Sequence, residues 1–308
     1  MDDLAILVAG ELAQPVDPRV ARLGEAIAAR HPTARAVLFY GSCLRAGSLD
    51  GLMLDFYLIV GDYRAAFGKA WLAAANRLLP PNVFPFEADG LAAKYAVLSE
   101  EDFARLAAPA TRGVSVWARF AQPSRLVWAA DADARDRAVE TVALAAPTLL
   151  AAARPMLPDR LPALDMWRAA FALTYAAELR AERGGRAASV VDAEPERYRR
   201  FTLPALAAAG LAAELEDDGA VRFRDPVPPA ARAQAARLWA RRRREGKLIT
   251  LARLAKASAT FAGGIDYLAW KINRHAGANV VIRPWQRRHP ILGALTLLPR
   301  LIRGGAIR

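Results

Sequence analysis

The chain predicts an α+β fold in three parts: a mixed-sheet domain over residues 1–130, a mainly helical module over 131–229, and a basic C-terminal region over 230–308. Three observations carry this expectation. Two apolar runs of strand length, Ala36–Tyr40 and Leu52–Val60, are joined through Gly41-Ser42. Residues 132–209 then show helical periodicity and finish in alternating residues around Asp218-Gly219. Charge is segregated as well. Between Ala230 and Arg308 there are 17 Lys plus Arg against two acids, Glu245 and Asp266, while the whole chain is only +12. The first 229 residues are therefore slightly acidic.

In chain order, residues 19–30 place Val20, Leu23 and Ile27 on one face of an amphipathic helix. After the two strands, Tyr63 to Leu79 reads as a helix ending at Pro80-Pro81. Pro85 makes Val83–Phe86 a poor central strand and a better edge strand or loop. Lys94–Ser99 reads as another strand, and Ser99 as the cap of a helix with Glu101 and Asp102 in its first turn. Trp117–Trp128 closes the first domain. Helices are expected over Ala132–Ala153, Leu164–Arg183 and Pro195–Ala209. Asp218-Gly219 marks a short hairpin, and helices followed by a hairpin suggest a winged-helix-like module. Asp225–Pro229, rich in proline, is the best linker candidate.

At 308 residues the chain can bury a sizeable core. A single cysteine, Cys43, rules out an internal disulfide and suits a reducing compartment. Beside the turn it reads as a small packed residue. His31, His275 and His289 are too few and too scattered for a histidine metal site. The N-terminus lacks a basic n-region and a long apolar core, so no signal peptide is expected. No apolar run reaches the roughly 18 residues that span a bilayer. A soluble or peripheral protein at the cytoplasmic face of the bacterial inner membrane is expected. The basic block suits a polyanion, either nucleic acid or an anionic membrane.

Gly41-Ser42 is a turn in which backbone N–H groups can approach a triphosphate at the start of a helix. Asp55 lies among Leu54, Phe56 and Tyr57, where an ionised carboxylate is costly unless paired or bound to a metal. A phosphate turn beside a strand carboxylate that holds magnesium resembles the site of polymerase-β-type nucleotidyltransferases. The second carboxylate usual two residues away is missing, because Met53 and Tyr57 flank Asp55. An ordinary Gly-Ser turn and a solvent-reaching Asp are the alternative.

Further segments extend the likeness. They are Tyr40-Gly41-Ser42; Met53-Leu54-Asp55-Phe56; Gly90 to Ser99 with Lys94-Tyr95; Leu173 to Arg180 with Tyr175, Glu178 and Arg180; and, more weakly, Leu254 to Tyr267. In this order they resemble the mitochondrial translocator-assembly-and-maintenance type of CDP-diacylglycerol synthase and its bacterial relatives. Ala96 stands where that family has glycine, and Glu178 where it has aspartate. The resemblance implies a CTP:phosphatidate cytidylyltransferase dependent on Mg2+, making CDP-diacylglycerol and pyrophosphate from CTP and phosphatidic acid. It implies catalytic roles for Asp55, Lys94 and Glu178. Gly41, Ser42, Lys94, Tyr175 and Arg180 would bind the nucleotide, and Asp55 and Glu178 the metal.

On a helix, Tyr175 and Glu178 at i and i+3 share a face, and Arg180 lies about 140° round from Tyr175. Lys94 as a solvated strand lysine and Glu178 as a surface residue are the plainer alternatives. The tail 283–308 mixes Trp285, Ile291, Leu292, Leu297 and Leu298 with arginine, which suits the headgroup–acyl boundary of an anionic membrane better than a nucleic-acid groove. A nucleotidyltransferase acting on RNA or a soluble acceptor, and a degenerate adaptor of the same fold, remain the other readings.

Overall fold

A computed structural model describes residues 3–45, 49, 51–178, 186–260 and 281–288. It is α+β. Helices α1 (Asp3–Leu12) and α2 (Pro18–Ala29) precede β1 (Ala34–Tyr40), a 3₁₀ turn at Ser42–Arg45 and β2 (Met53–Val60). Then come α3 (Tyr63–Phe67), α4 (Ala70–Leu78), β3 (Asn82–Ala88), β4 (Leu91–Ser99), α5 (Glu100–Ala107), α6 (Ser115–Phe120) and β5 (Ser124–Ala129). The second half holds α7 (Ala132–Ala143), α8 (Ala145–Ala153), β6 (Arg160–Pro162), α9 (Ala163–Ala177), α10 (Arg186–Asp192), α11 (Pro195–Ala208), β7 (Ala213–Leu215) and β8 (Ala220–Phe223). The long α12 (Pro229–Thr260) and short α13 (Pro284–Arg288) follow.

Five strands form one mixed sheet in the order β3-β4-β2-β1-β5. β2 and β4 run parallel, and the other neighbours are antiparallel. Pro85 lies in β3, which is an edge strand, the place where a residue without an N–H does least harm. One face of the sheet, with Val37, Phe39, Phe56 and Leu58, packs on α2. The other face, with Leu38, Tyr57, Ile59 and Leu98, merges with Trp117, Leu149, Trp167, Phe171, Phe201 and Trp239 in one continuous buried cluster. The helices of the second half therefore sit directly on the sheet. The Asp218-Gly219 hairpin is present as β7–β8, and β6 extends it to three strands.

Several expected helices are divided. Tyr63–Leu79 breaks at Gly68, whose φ of +62° closes α3 with a left-handed residue. Ala132–Ala153 breaks at Leu144, and Pro147, with no N–H to donate, lies in the first turn of α8. Trp117–Trp128 is the end of α6 and then β5. The expected helix to Arg183 stops at Ala177, although the residues that follow are good helix formers. The stop coincides with a tertiary contact: α12 crosses there, and a Cβ on Gly246 would overlap the carbonyl oxygen of Ala177. Ser99 does cap α5, accepting from the Asp102 N–H at 3.1 Å.

α12 begins at Pro229, where the linker was expected to end, and it packs against the rest of the chain at several points. Trp239 is 1% exposed and donates to the Ala152 carbonyl at 3.1 Å. The Arg242 guanidinium lies over the Trp239 and Trp117 rings. Near its far end Lys256 Nζ donates to the carbonyls of Leu79 and Pro81, the latter at 2.9 Å, which ties the helix to the segment before β3. Among the described residues no helix is long and apolar enough to cross a membrane. In α13 Gln286 is buried and Trp285 exposed. The tail residues Ile291, Leu292, Leu297 and Leu298 lie outside the described residues.

Gly246 gives a sharp test of the α12–α9 contact. Helix propensity alone makes Gly→Ala stabilising by about 1 kcal/mol in a helix interior. Overpacking costs roughly 1–3 kcal/mol. Gly246→Ala is therefore expected to lower Tm in a thermal unfolding experiment; a raised Tm would mean that α12 does not press on Ala177.

Candidate active site

The site is a polar row laid across the apolar face of the sheet. Residues paired directly across neighbouring strands share a face. The register pairs Tyr40 with Asp55 and with Ser124, and Asp55 with Lys94. One step further along the same strands, Leu38, Tyr57 and Ala96 are already core. Strand alternation thus carries Asp55 and Lys94 to the margin of a hydrophobic face. The Asp55 Oδ1 and Lys94 Nζ lie 3.0 Å apart, with side chains 23% and 29% exposed, so each offsets the other's desolvation while solvent still reaches both.

Gly41 follows Tyr40 with φ of +97°, a conformation that L side chains rarely adopt. A Cβ there would also lie 3.4 Å from Asp55 Oδ2. That is an ordinary contact distance, so it is the backbone conformation of the turn that calls for glycine. The short helix expected after the turn is a single 3₁₀ turn, with the Leu44 N–H donating to the Gly41 carbonyl at 3.2 Å. The Ser42 side chain is exposed, and Cys43 is buried with its thiol 3.5 Å from the Met53 carbonyl.

Opposite the row stands Arg119 of α6. Its Nη1 is 2.7 Å from the Ser115 carbonyl and 3.5 Å from Glu178 Oε1. Burial alone would lower the pKa of this guanidinium, but Glu178 and then Tyr57, Tyr40 and Asp55 outweigh it and push the value up. Its side chain keeps 30% of its surface, so an anion can reach it. Tyr40 is pushed well above an ordinary phenol by burial and then by the Asp55 and Tyr57 charges, with Arg119 acting the other way. It stays a neutral phenol. Tyr40, Tyr57 and Phe120 pack against one another in tilted and edge-to-face contacts between the polar row and the core.

Glu178 is not on a helical face with Tyr175, as the spacing predicts. It follows the last residue of α9 in extended backbone, φ −109° and ψ 150°, and this turns its 9%-exposed carboxylate to Arg119. Tyr175 is half-buried against the core cluster. Arg180 lies outside the described residues.

α12 supplies more cations. Arg253 Nη1 donates to Ser115 Oγ at 2.7 Å, and its pKa is lowered by burial, with Tyr57 and Glu178 raising it and Arg119 lowering it further. Lys256, one turn on, is lowered to about 7, first by burial and then by Arg253. Sequence reading passed over Arg119 and Arg253. Their signals were a lone arginine in the apolar run Val114–Phe120, and Arg253 and Lys256 at i and i+3 among leucines and alanines.

Among the described residues no three His, Cys, Asp or Glu side chains gather to hold a metal by themselves. Magnesium is commonly held by one or two carboxylates with substrate phosphates and water completing its shell. Asp55, partly exposed beside Gly41, is the carboxylate of the polar row that could ligate such an ion. A cavity of about 540 Å³ lies elsewhere, between α1, β5 and α7, and is lined mainly by apolar residues such as Ala9, Leu12 and Leu126.

No protein-family profile and no curated protein matches the chain. Among solved structures, a nucleotidyltransferase-like protein from Exiguobacterium sibiricum is similar over 78% of this chain and 80% of its own, at 9% identity and a TM-score of 0.28. An overlap that shallow does not define a shared fold.

Lys256 carries a pH signature. The unfolded chain keeps this proton to about pH 10.4. The folded chain releases it near pH 7. Between these values the unfolded state binds more protons, so this group's contribution makes stability rise with pH. Relative to Lys256→Gln, the wild-type Tm should therefore increase from pH 6.5 to 9.5 in thermal melts. A pH-independent difference between the two would contradict the assignment.

Proposed function

We propose that the chain is a magnesium-dependent nucleotidyltransferase, and specifically a CTP:phosphatidate cytidylyltransferase peripheral to an anionic membrane. The observation that carries the reading is the Asp55–Lys94 pair beside positive-φ Gly41, faced by Arg119. One carboxylate, a positive-φ glycine turn and converging cations suit a triphosphate. The choice of cytidine and of phosphatidate rests on the motif resemblance.

The phosphate of phosphatidate attacks the α-phosphorus of CTP in line. A new P–O bond forms, the bond to the β-phosphate breaks, and pyrophosphate leaves with the electron pair. The acceptor's second pKa is about 6, so near neutral pH it is already a dianion and no base is needed to remove a proton. Catalysis is then positioning and charge neutralisation. A magnesium ion held by Asp55 would offset charge on the triphosphate. Lys94 would neutralise a phosphate oxygen, and the Gly41-Ser42 backbone would lie against the phosphates. Arg119 offsets charge on the departing pyrophosphate. Glu178, expected as a second metal carboxylate, is assigned instead to holding Arg119. Tyr175 and Arg180 stay proposals for the nucleotide, and the tail from 283 for the membrane.

The test is pyrophosphate release from CTP with phosphatidate in mixed micelles. Asp55→Asn should lower kcat by roughly 10²-fold or more, with Tm little changed, since the two side chains are nearly isosteric. Glu178→Gln should lose roughly tenfold, with its magnesium requirement unmoved. Relief of that loss by raised magnesium would return Glu178 to the metal, and near-wild-type turnover by Asp55→Asn would remove Asp55 from the site.

A further inference from the structure

α12 meets the Arg119–Glu178 pair at two points. Gly246 presses on the carbonyl of Ala177, the residue before Glu178. Arg253, about two helical turns further along α12, donates to the Ser115 hydroxyl at 2.7 Å, one turn of α6 before Arg119. That spacing puts both contacts on one face of α12, the face that also carries buried Trp239. Ser115 is 8% exposed, and its carbonyl accepts from Arg119 Nη1 at 2.7 Å. One residue therefore takes a hydrogen bond from each guanidinium. The Arg119–Glu178 ion pair is longer, 3.5 Å, and leaves the direction of the Arg119 fork to be set at Ser115.

Arginine is a costly choice at 253. Its Nε is buried with no partner among the described residues. Burial disfavours its charge and Arg119 adds to that, against Tyr57 and Glu178. A buried donor left unsatisfied is destabilising, and an apolar side chain of similar length would suit such packing at least as well. What arginine adds here is the bond to Ser115. We propose that Arg253 is a positioning residue: through Ser115 it aims the Arg119 guanidinium at the departing pyrophosphate, so that α12 sets a group of the site without touching the substrate itself. The proposal rests on the nucleotidyltransferase reading for what Arg119 meets, whereas the dependence of Arg119 on Arg253 rests on the packing alone. A misaimed transition-state group lowers kcat and leaves ground-state binding of the nucleotide. If Arg253 acts only through Arg119, its loss costs nothing further once Arg119 is gone.

The experiment reads turnover and the Arg119 side chain in the full chain. In pyrophosphate release from CTP with phosphatidate, Arg253→Met should lower kcat by roughly 10- to 100-fold, the scale of a misplaced catalytic group, with KM for MgCTP within about threefold and Tm unchanged or raised. Ser115→Ala keeps the carbonyl, loses the hydroxyl and should match it; this variant also serves if Arg253→Met does not fold. In an Arg119→Gln background, Arg253→Met should change kcat by less than about twofold. A purely structural role would instead lower Tm and add its full loss to that of Arg119→Gln. The second readout needs no turnover. With arginine-selective 15N labelling, the Arg119 Nε–H signal, assigned by its absence in Arg119→Gln, should shift and broaden in both Arg253→Met and Ser115→Ala. An Arg119 signal unmoved by either folded variant, wild-type kcat in Arg253→Met, or full additivity with Arg119→Gln would overturn the proposal. An Arg119 signal that depends on Arg253 in a protein without turnover or MgCTP binding would sink the transferase reading and leave the positioning of Arg119 standing.

Discussion

Asp55 lies on β2, a strand with neighbours on both sides, at the point where the sheet's helix-covered face passes from apolar rows to a polar one. A carboxylate there cannot be left uncompensated, since a buried or half-buried charge without a partner costs several kcal/mol. The parallel register with β4 answers this by placing Lys94 beside it, at 3.0 Å. The antiparallel register with β1 places Tyr40 on its other side, and the turn after Tyr40 takes a positive φ that favours glycine at position 41. The pair stays accessible at 23% and 29%. It is thus a preformed charge pair at the margin of the apolar face, with both side chains still reached by solvent.

The second half of the chain completes that arrangement by packing. One hydrophobic cluster runs from the sheet through α6, α8, α9 and α11 to Trp239 of α12. α6 is fixed between the sheet and α8, so Arg119 is held above the polar row. α9 ends under α12, and the extended residue after it turns Glu178 to Arg119. α12 reaches from the small sheet of the second half to the segment before β3, where Lys256 ties it down. The basic character that composition assigns to the C-terminal region is therefore partly internal: Arg242, Arg253 and Lys256 face the protein, and only the remainder of the positive charge is left for an outside partner.

What could be read in the sequence was local. Apolar runs of strand length, Pro85 at an edge, Ser99 as a cap and Asp218-Gly219 in a hairpin each follow from neighbouring residues, and each is present. Gly41, Asp55 and Lys94 were legible for the same reason, because the turn and the isolated strand charges mark themselves. Helix ends set by other elements were not. Nothing near Ala177 signals a stop, and the cause, Gly246, is 69 residues away by number. Arg119 and Arg253 were passed over because a cation in an apolar helix reads as a surface residue until the partner elements are known. The helical-face pairing of Tyr175 with Glu178 failed at that unmarked helix end.

The polar row across β1, β2 and β4 is most directly tested by titrating the full chain with CTP in magnesium and again in excess EDTA, followed by calorimetry. A triphosphate site completed by a metal on Asp55 predicts saturable one-to-one binding, tighter with magnesium by about tenfold or more, which is at least about 1.4 kcal/mol. Absence of binding at millimolar CTP, or equal affinity with and without magnesium, would contradict it.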